Sequence, residues 1–388
     1  MSRKRRNGPA TAAPIDAPVE PAGALLVTGF PAFTARRVAL GALEAHPGST
    51  IFLLVRDKFR AAAEALVAAL PPDRRALIEL VEGDVCNMDL GLTGDDHRRL
   101  AQRVTAIHHL AAVYYLGTNE REAERVNVDG TREVIAFARE CPHLRALVHY
   151  STVGVSGGRK GVVLEDDLDC GQSFRNHYEE TKFRAEKLVR DAMRHLPCVV
   201  LRLGTVVGDS RTGEIDKFDG PYSLIVLIAE SRADVPLPLP GRGNAPLYLA
   251  PIDWVVAVTL RIAADPRAIG RTFHVVDPCP LPARKVYALV AEHANRRPPR
   301  VTLPMGLARA LLRAPGLERM TRAPLALLDA LDHLVLYNCR NTLELLEGAG
   351  LACPAPESYL ENLVRYVRTV RADRRRVEDE TAPDPLET

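Results

Sequence analysis

The stretch LLVTGFPAFTARRVALGAL (Leu25–Leu43) sets an apolar run against a Thr-Gly pair and follows it with a segment of helical composition. Apolar strand, tight turn and helix are the opening of a nucleotide-binding α/β unit, in which the helix N-terminus offers free N–H groups to phosphate. Thr28 and Gly29 supply the turn, and glycine there tolerates backbone angles that other residues avoid. The two later positions at which such a loop repeats glycine hold Ala32 and Ala35. At Ala35, where the helix packs on the sheet, alanine is an accepted replacement. Ala32 is the departure. Its methyl is expected near the pyrophosphate, and a positive φ there would cost about 1–2 kcal/mol. Pro31 suits the first helical turn, where it loses no useful donor.

Outward from this loop the same rhythm continues. Leu25–Thr28, Ile51–Val55, Leu77–Val81, Val104–His109, Ala146–Tyr150 and Val199–Leu203 read as strands. They lack clean polar alternation, as strands do in a parallel sheet covered on both faces. Ala35–Glu44, Arg60–Ala69, Glu120–Glu140 and Glu179–His195 read as the intervening helices. The alternation predicts an α/β fold, a Rossmann doubly wound parallel sheet with a smaller C-terminal substrate lobe and ligands at the carboxyl ends of the strands. After Gly208 the rhythm breaks. Asp209–Ala250 is rich in Gly and Pro around a helical Tyr222–Ser231, before Ile252–Ala264 resumes a helix and Thr272–Val276 a strand. The expected organisation is a loose tail over 1–22, a nucleotide domain over 23–277 with a substrate-side insertion at about 209–250, a mainly helical lobe over 278–370, and a second loose tail over 371–388.

Composition narrows the function classes. The 388 residues are 47% hydrophobic, enough for a large core, and 51 basic against 49 acidic residues leave a net charge of only +2. No nucleic-acid partner is expected from that balance. No apolar core follows the basic Arg3–Arg6 cluster, so no secretory signal is expected, and no stretch reaches the roughly 18 apolar residues of a membrane span. Leu303–Arg313 reads as a helix packed on the protein, with contact to a membrane surface as the alternative. Seven cysteines (Cys86, Cys141, Cys170, Cys198, Cys279, Cys339 and Cys353) lie scattered without a CxxC pair. This disfavours a zinc site or a disulfide framework and favours a reducing, cytoplasmic setting. No internal repeat and no metal site are expected.

The strongest chemical signal is Tyr178-Glu-Glu-Thr-Lys182, at the start of a predicted helix. A spacing of four puts both side chains on one helical face. A phenol is a poor proton donor near neutrality, and an ammonium beside it favours the phenolate and lowers its pKa. Carbonyl reduction needs such a group where an alkoxide develops. Upstream, Val148-His-Tyr-Ser151-Thr152 is a strand ending in hydroxyls that can donate to the same oxygen.

With these residues the chain resembles the extended short-chain dehydrogenase/reductases, over roughly Leu25 to Val276 and more weakly to about Val370. LVTG (Leu26–Gly29), LLVRD (Leu53–Asp57), EGDV (Glu82–Val85), HHLAA (His108–Ala112), VNVDGT (Val126–Thr131), STVGV (Ser151–Val155) and YEETK occur in family order. The resemblance implies a catalytic set of Thr152, Tyr178 and Lys182, with Thr152 matching the family hydroxyl better than Ser151. It implies that Asn127 shapes the active-site helix and helps a water hold the lysine, with a plain helix-bending or capping Asn as the alternative. The cofactor contacts it implies fall on Thr28, Gly29, Ala32, Ala35, Asp84 and Ala111, with Tyr178 and Lys182. Arg56 follows the second strand, where an acidic residue would bind the NAD ribose; a guanidinium there suits the 2′-phosphate of NADP. LLVRD with LRLGTVVGDSRTGEIDKFDGPY (Leu201–Tyr222) is similar to the fatty acyl-CoA and thioester reductase branch. That implies NADPH reducing a small acyl or carbonyl substrate, free or carrier-bound. Leu224–Ile228, Leu303–Leu312 and Leu325–Leu336 would then line an acyl channel or serve as plain core helices. A sterol- or sugar-nucleotide dehydrogenase or epimerase, and a non-catalytic dinucleotide sensor, are the alternatives.

Overall fold

The computed structural model describes residues 23–114, 119–231, 238–299, 301–312, 328, 331 and 333–381. Seven strands form its central sheet: β1 (Ala24–Thr28), β2 (Thr50–Val55), β3 (Ile78–Glu82), β4 (Val104–His109), β5 (Ala146–Thr152), β6 (Cys198–Leu203) and β7 (Thr272–Val275). The order is β7-β6-β5-β4-β1-β2-β3, with every neighbouring pair parallel. Strand order reverses between β1 and β4. Their carboxyl ends flank the crevice where such sheets bind nucleotides.

Alternate residues of each strand enter two separate cores. Leu25, Val27, Ile51, Leu53, Val148 and Leu201 face one side, where α1 (Phe33–Ala45) lies. Leu26, Phe52, Leu54, Ile107, Leu147 and Val200 face the other, against helix Gly130–Arg139 and α2 (His177–Ala192). Burial on both faces is why the strands read as continuous apolar runs. The predicted helix Glu120–Glu140 is divided: a π turn at Glu124–Asp129 separates Glu120–Ala123 from Gly130–Arg139.

The second lobe is built from two distant parts of the chain. Helix α3 (Pro221–Glu230), from the Gly/Pro-rich insertion, shares a core with α5 (Ala283–His293) and α6 (Pro356–Thr381) through Tyr222, Ile225, Val286, Val290, Tyr359 and Leu363. Between them, α4 (Ile252–Ala263) returns to the sheet and lies so close to α1 that a Cβ on Gly41 would fall 2.4 Å from Val256. Met305–Leu312 is helical, with Met305 and Ala308 packed on Leu247, Ala283 and Leu331, and Leu307 exposed. Half of Leu325–Leu336 lies outside the described residues; its end joins a strand, Val335–Tyr337, parallel to Gly161–Val163. Residues 1–22 and 382–388 also lie outside them. Helix α6 continues to Thr381, into the stretch where charge and proline led us to expect a loose tail. All seven cysteines are free thiols, and no described helix is long and apolar enough to cross a membrane.

Candidate active site

The nucleotide loop leaves β1 through Gly29, whose φ is +90° and whose missing Cβ would sit 2.8 Å from the Ala111 nitrogen. Only glycine meets both demands. The expected cost at Ala32 does not arise: its φ is −56°, it is exposed, and it is the residue capping α1. Pro31 precedes that cap rather than occupying the first helical turn. Ala35 is buried against the sheet. The start of α1 has neither a side-chain cap nor an acidic residue, so its first N–H groups are left to a ligand. These features fit the pyrophosphate of a dinucleotide.

Thr28 anchors the loop by a chain of hydrogen bonds whose direction can be read. Thr131 Oγ1 donates to the Asn127 carbonyl (2.6 Å) and therefore accepts from His109 Nε2 (3.0 Å). His109 Nδ1 is then an acceptor for the Thr28 hydroxyl (2.9 Å), which takes the Ala111 N–H (3.1 Å). Burial holds His109 neutral, its pKa lowered to about 3. The chain ties the end of β1 to the end of β4 and to the π turn. His109 was missed in the sequence as anything but part of a motif.

At the ends of β2 and β3, Arg56 forms an ion pair with Asp84 (3.1 Å). Arg56, expected at the 2′-phosphate, and Asp84, expected among the cofactor contacts, are thus immediate neighbours. Two further arginines, Arg36 and Arg37 of α1, were not anticipated; they pair with Asp216 (2.7 Å) and Asp209 of the insertion.

The residues expected to handle the proton lie where α2 passes the end of β5. Asn176 caps α2, accepting the Glu179 N–H at 2.9 Å, which sets Tyr178 in the first turn. Tyr178 is half-buried; burial pushes its phenol up to about 12, and a hydrogen bond with the Thr152 side chain pulls the other way. Lys182 is buried and lowered to about 8 by desolvation, opposed by Glu186. Its ammonium donates to the Tyr150 carbonyl at 2.6 Å. The expected lowering of the phenol by Lys182 is not found: desolvation raises it, Thr152 alone pulls it down, and the ammonium is engaged with the backbone.

The two hydroxyls at the end of β5 separate cleanly. Ser151 donates to Glu186 at 2.6 Å and is buried, whereas Thr152 is half-buried on the Tyr178 side. Asn127 does not reach Lys182. Its amide accepts the Val113 N–H (2.8 Å) and donates to the Val113 carbonyl (3.1 Å) and to Thr181 Oγ1 (2.9 Å), fixing the chain beyond β4.

Behind the site lies a buried polar network that was not anticipated. Arg202 of β6, Arg190 and Ser151 all bind Glu186, whose carboxyl these cations hold below the usual range against its burial. Arg202 also meets His274 Nε2 (3.1 Å). Glu165 accepts the His274 N–H (2.9 Å), the Asn341 N–H (2.5 Å) and the Thr342 hydroxyl (2.9 Å), fastening helix Arg340–Leu346 to the sheet. An arginine inside the apolar run CVVLRL was the available signal.

A seven-stranded doubly wound sheet with this loop and this Tyr–Lys helix defines a nicotinamide-nucleotide-dependent oxidoreductase of the extended short-chain type. The chain belongs to the family described as male sterility protein, which matches residues 27–259. It is 28% identical over 246 residues to fatty acyl-CoA reductase wat of Drosophila melanogaster, covering 56% of this chain and 47% of that protein. It is 34% identical over 217 residues to glycine betaine reductase ATRR of Emericella nidulans, covering 54% of this chain and 16% of that protein. The chain thus matches less than half the length of either relative. The crystal structure of the terminal R domain from the myxalamid PKS-NRPS pathway superimposes with a TM-score of 0.76 at 25% identity, over 90% of this chain and 91% of that one.

Proposed function

We propose that this chain reduces an acyl thioester, presented as an acyl-CoA or on a carrier protein, to an aldehyde with NADPH. The observation that carries the reading is the meeting of Thr152, Tyr178 and Lys182 at the carboxyl end of β5. Thr28, Gly29, the start of α1 and Ala111 would hold the dinucleotide, with Arg56 on the 2′-phosphate and Asp84 at the adenosine. When bound, the nicotinamide supplies hydride to the carbonyl carbon. The Thr152 hydroxyl orients the carbonyl oxygen, and Tyr178 gives its phenolic proton to that oxygen as it gains charge. Lys182, with N–H groups beyond the one on Tyr150, stabilises the phenolate left behind. The hemithioacetal then returns its hydroxyl proton to the Tyr178 phenolate as its C–S bond breaks, and the departing thiolate takes a proton from water.

The Arg56–Asp84 pair at the cofactor end supports NADPH over NADH. The scattered free thiols support a cytoplasmic setting. The nucleotide unit would bind the cofactor, and the lobe of α3, α5 and α6 would face the acyl chain. The test is a coupled assay with palmitoyl-CoA and the same acyl group on a carrier protein. Equal amounts of NADPH consumed and thiol released support the reading. Turnover of alcohols or ketones alone, with no thiol released from any thioester, overturns it.

A further inference from the structure

His149, in the middle of β5, is wholly buried, and neither ring nitrogen has a hydrogen-bond partner among the described residues. Unpaired buried polar groups are costly and rare. Its position is specific. Side chains two apart on a strand share a face, so His149 faces α2 as Ser151 does, and Ser151 bonds to Glu186, one turn beyond Lys182. Across the sheet it pairs with His109, the two rings 5.4 Å apart. Burial and the nearby Lys182 ammonium keep both imidazoles uncharged.

Lys182 uses one of its three N–H donors on the Tyr150 carbonyl. Asn127 makes no bond to Lys182: its amide is engaged by Val113 and Thr181 and its carbonyl takes the Thr131 hydroxyl. We propose that His149 is a positioning residue for Lys182: one imidazole nitrogen accepts a hydrogen bond relayed from Nζ across one bridging water, and so aims the ammonium at the Tyr178 phenol. A neutral acceptor suits this task. It holds the ammonium in place without adding a negative charge to that of Glu186. The inference rests on Tyr178 and Lys182 being the proton-delivering pair.

The test uses the full chain with NADPH and palmitoyl-CoA. His149→Phe keeps a ring and removes the acceptor; His149→Gln restores an acceptor. The titratable groups around the ammonium are Tyr178 and Glu186 on its own helix, His109 on β4 and His149 on β5, and only the last is changed. His149→Phe is expected to lower kcat about tenfold or more, as loss of a hydrogen bond to a charged group does, with cofactor affinity held within about twofold. The alkaline limb of kcat should move to lower pH, because the ammonium has lost a stabilising acceptor, and His149→Gln should restore most of both. Wild-type kcat and limb in His149→Phe overturn the proposal, as does equal impairment of the Phe and Gln variants. Should His149→Phe not fold, ¹⁵N NMR of the wild-type ring decides: a hydrogen-bonded acceptor nitrogen supports the assignment and a free one overturns it. An inactive wild-type control would sink the reductase reading instead.

Discussion

The nucleotide loop and the Tyr–Lys helix are opposites. The loop is irregular in sequence, with alanine at two of its three glycine positions, yet regular in backbone: Gly29 alone takes a positive φ, and Ala32 at −56° takes none. The helix is regular in sequence, but Lys182 binds the Tyr150 carbonyl and Tyr178 is raised rather than lowered. Only one glycine in the loop meets a steric demand, so the others can be lost. In the helix, spacing fixes which face two side chains share, and leaves open where a flexible ammonium settles once it is buried.

The largest effect that could break this contrast is at Tyr178. Tyr178→Phe removes the proton donor and is expected to lower kcat by roughly 10²–10⁴-fold, with NADPH affinity by calorimetry unchanged. Next come the paired hydroxyls. Thr152→Ala should lower kcat by on the order of 10²-fold, with a smaller loss of stability from its bond to the Gly154 N–H. Ser151→Ala should do the reverse, losing about 1.5–3 kcal/mol of stability in denaturant unfolding through its bond to the buried Glu186 while kcat holds. Smaller again is the loop. Gly29→Ala should weaken NADPH binding about tenfold, from about 1–2 kcal/mol of backbone strain and the approach of Ala111. Ala32→Gly, at an exposed position with ordinary φ, should change affinity by less than about twofold.

Much of the fold could be read from the chain because each strand is buried on both faces and each helix on one, so hydrophobic runs and periodicity carried the information. The preference for Thr152 over Ser151 is consistent with the fate of the two hydroxyls. What could not be read depends on contacts between distant segments. The π turn at Asn127 follows from its amide closing on Val113, and nothing in a helical pattern announces that. The Glu165 clamp joins residues 109 to 177 apart in sequence. His149 and Arg202 were visible as polar residues in apolar strands, but their partners were not.

The proton-delivering pair is tested most directly without any substitution, by the pH dependence of the hydride-transfer rate in single turnovers with NADPH and palmitoyl-CoA. Lys182, lowered to about 8 by burial, is an ammonium below that value and neutral above it. If its charge steadies the phenolate, the rate is full on the acid side and falls as pH rises through about 8. A rate that stays level to about pH 10, the range of an ordinary lysine, would contradict the assignment.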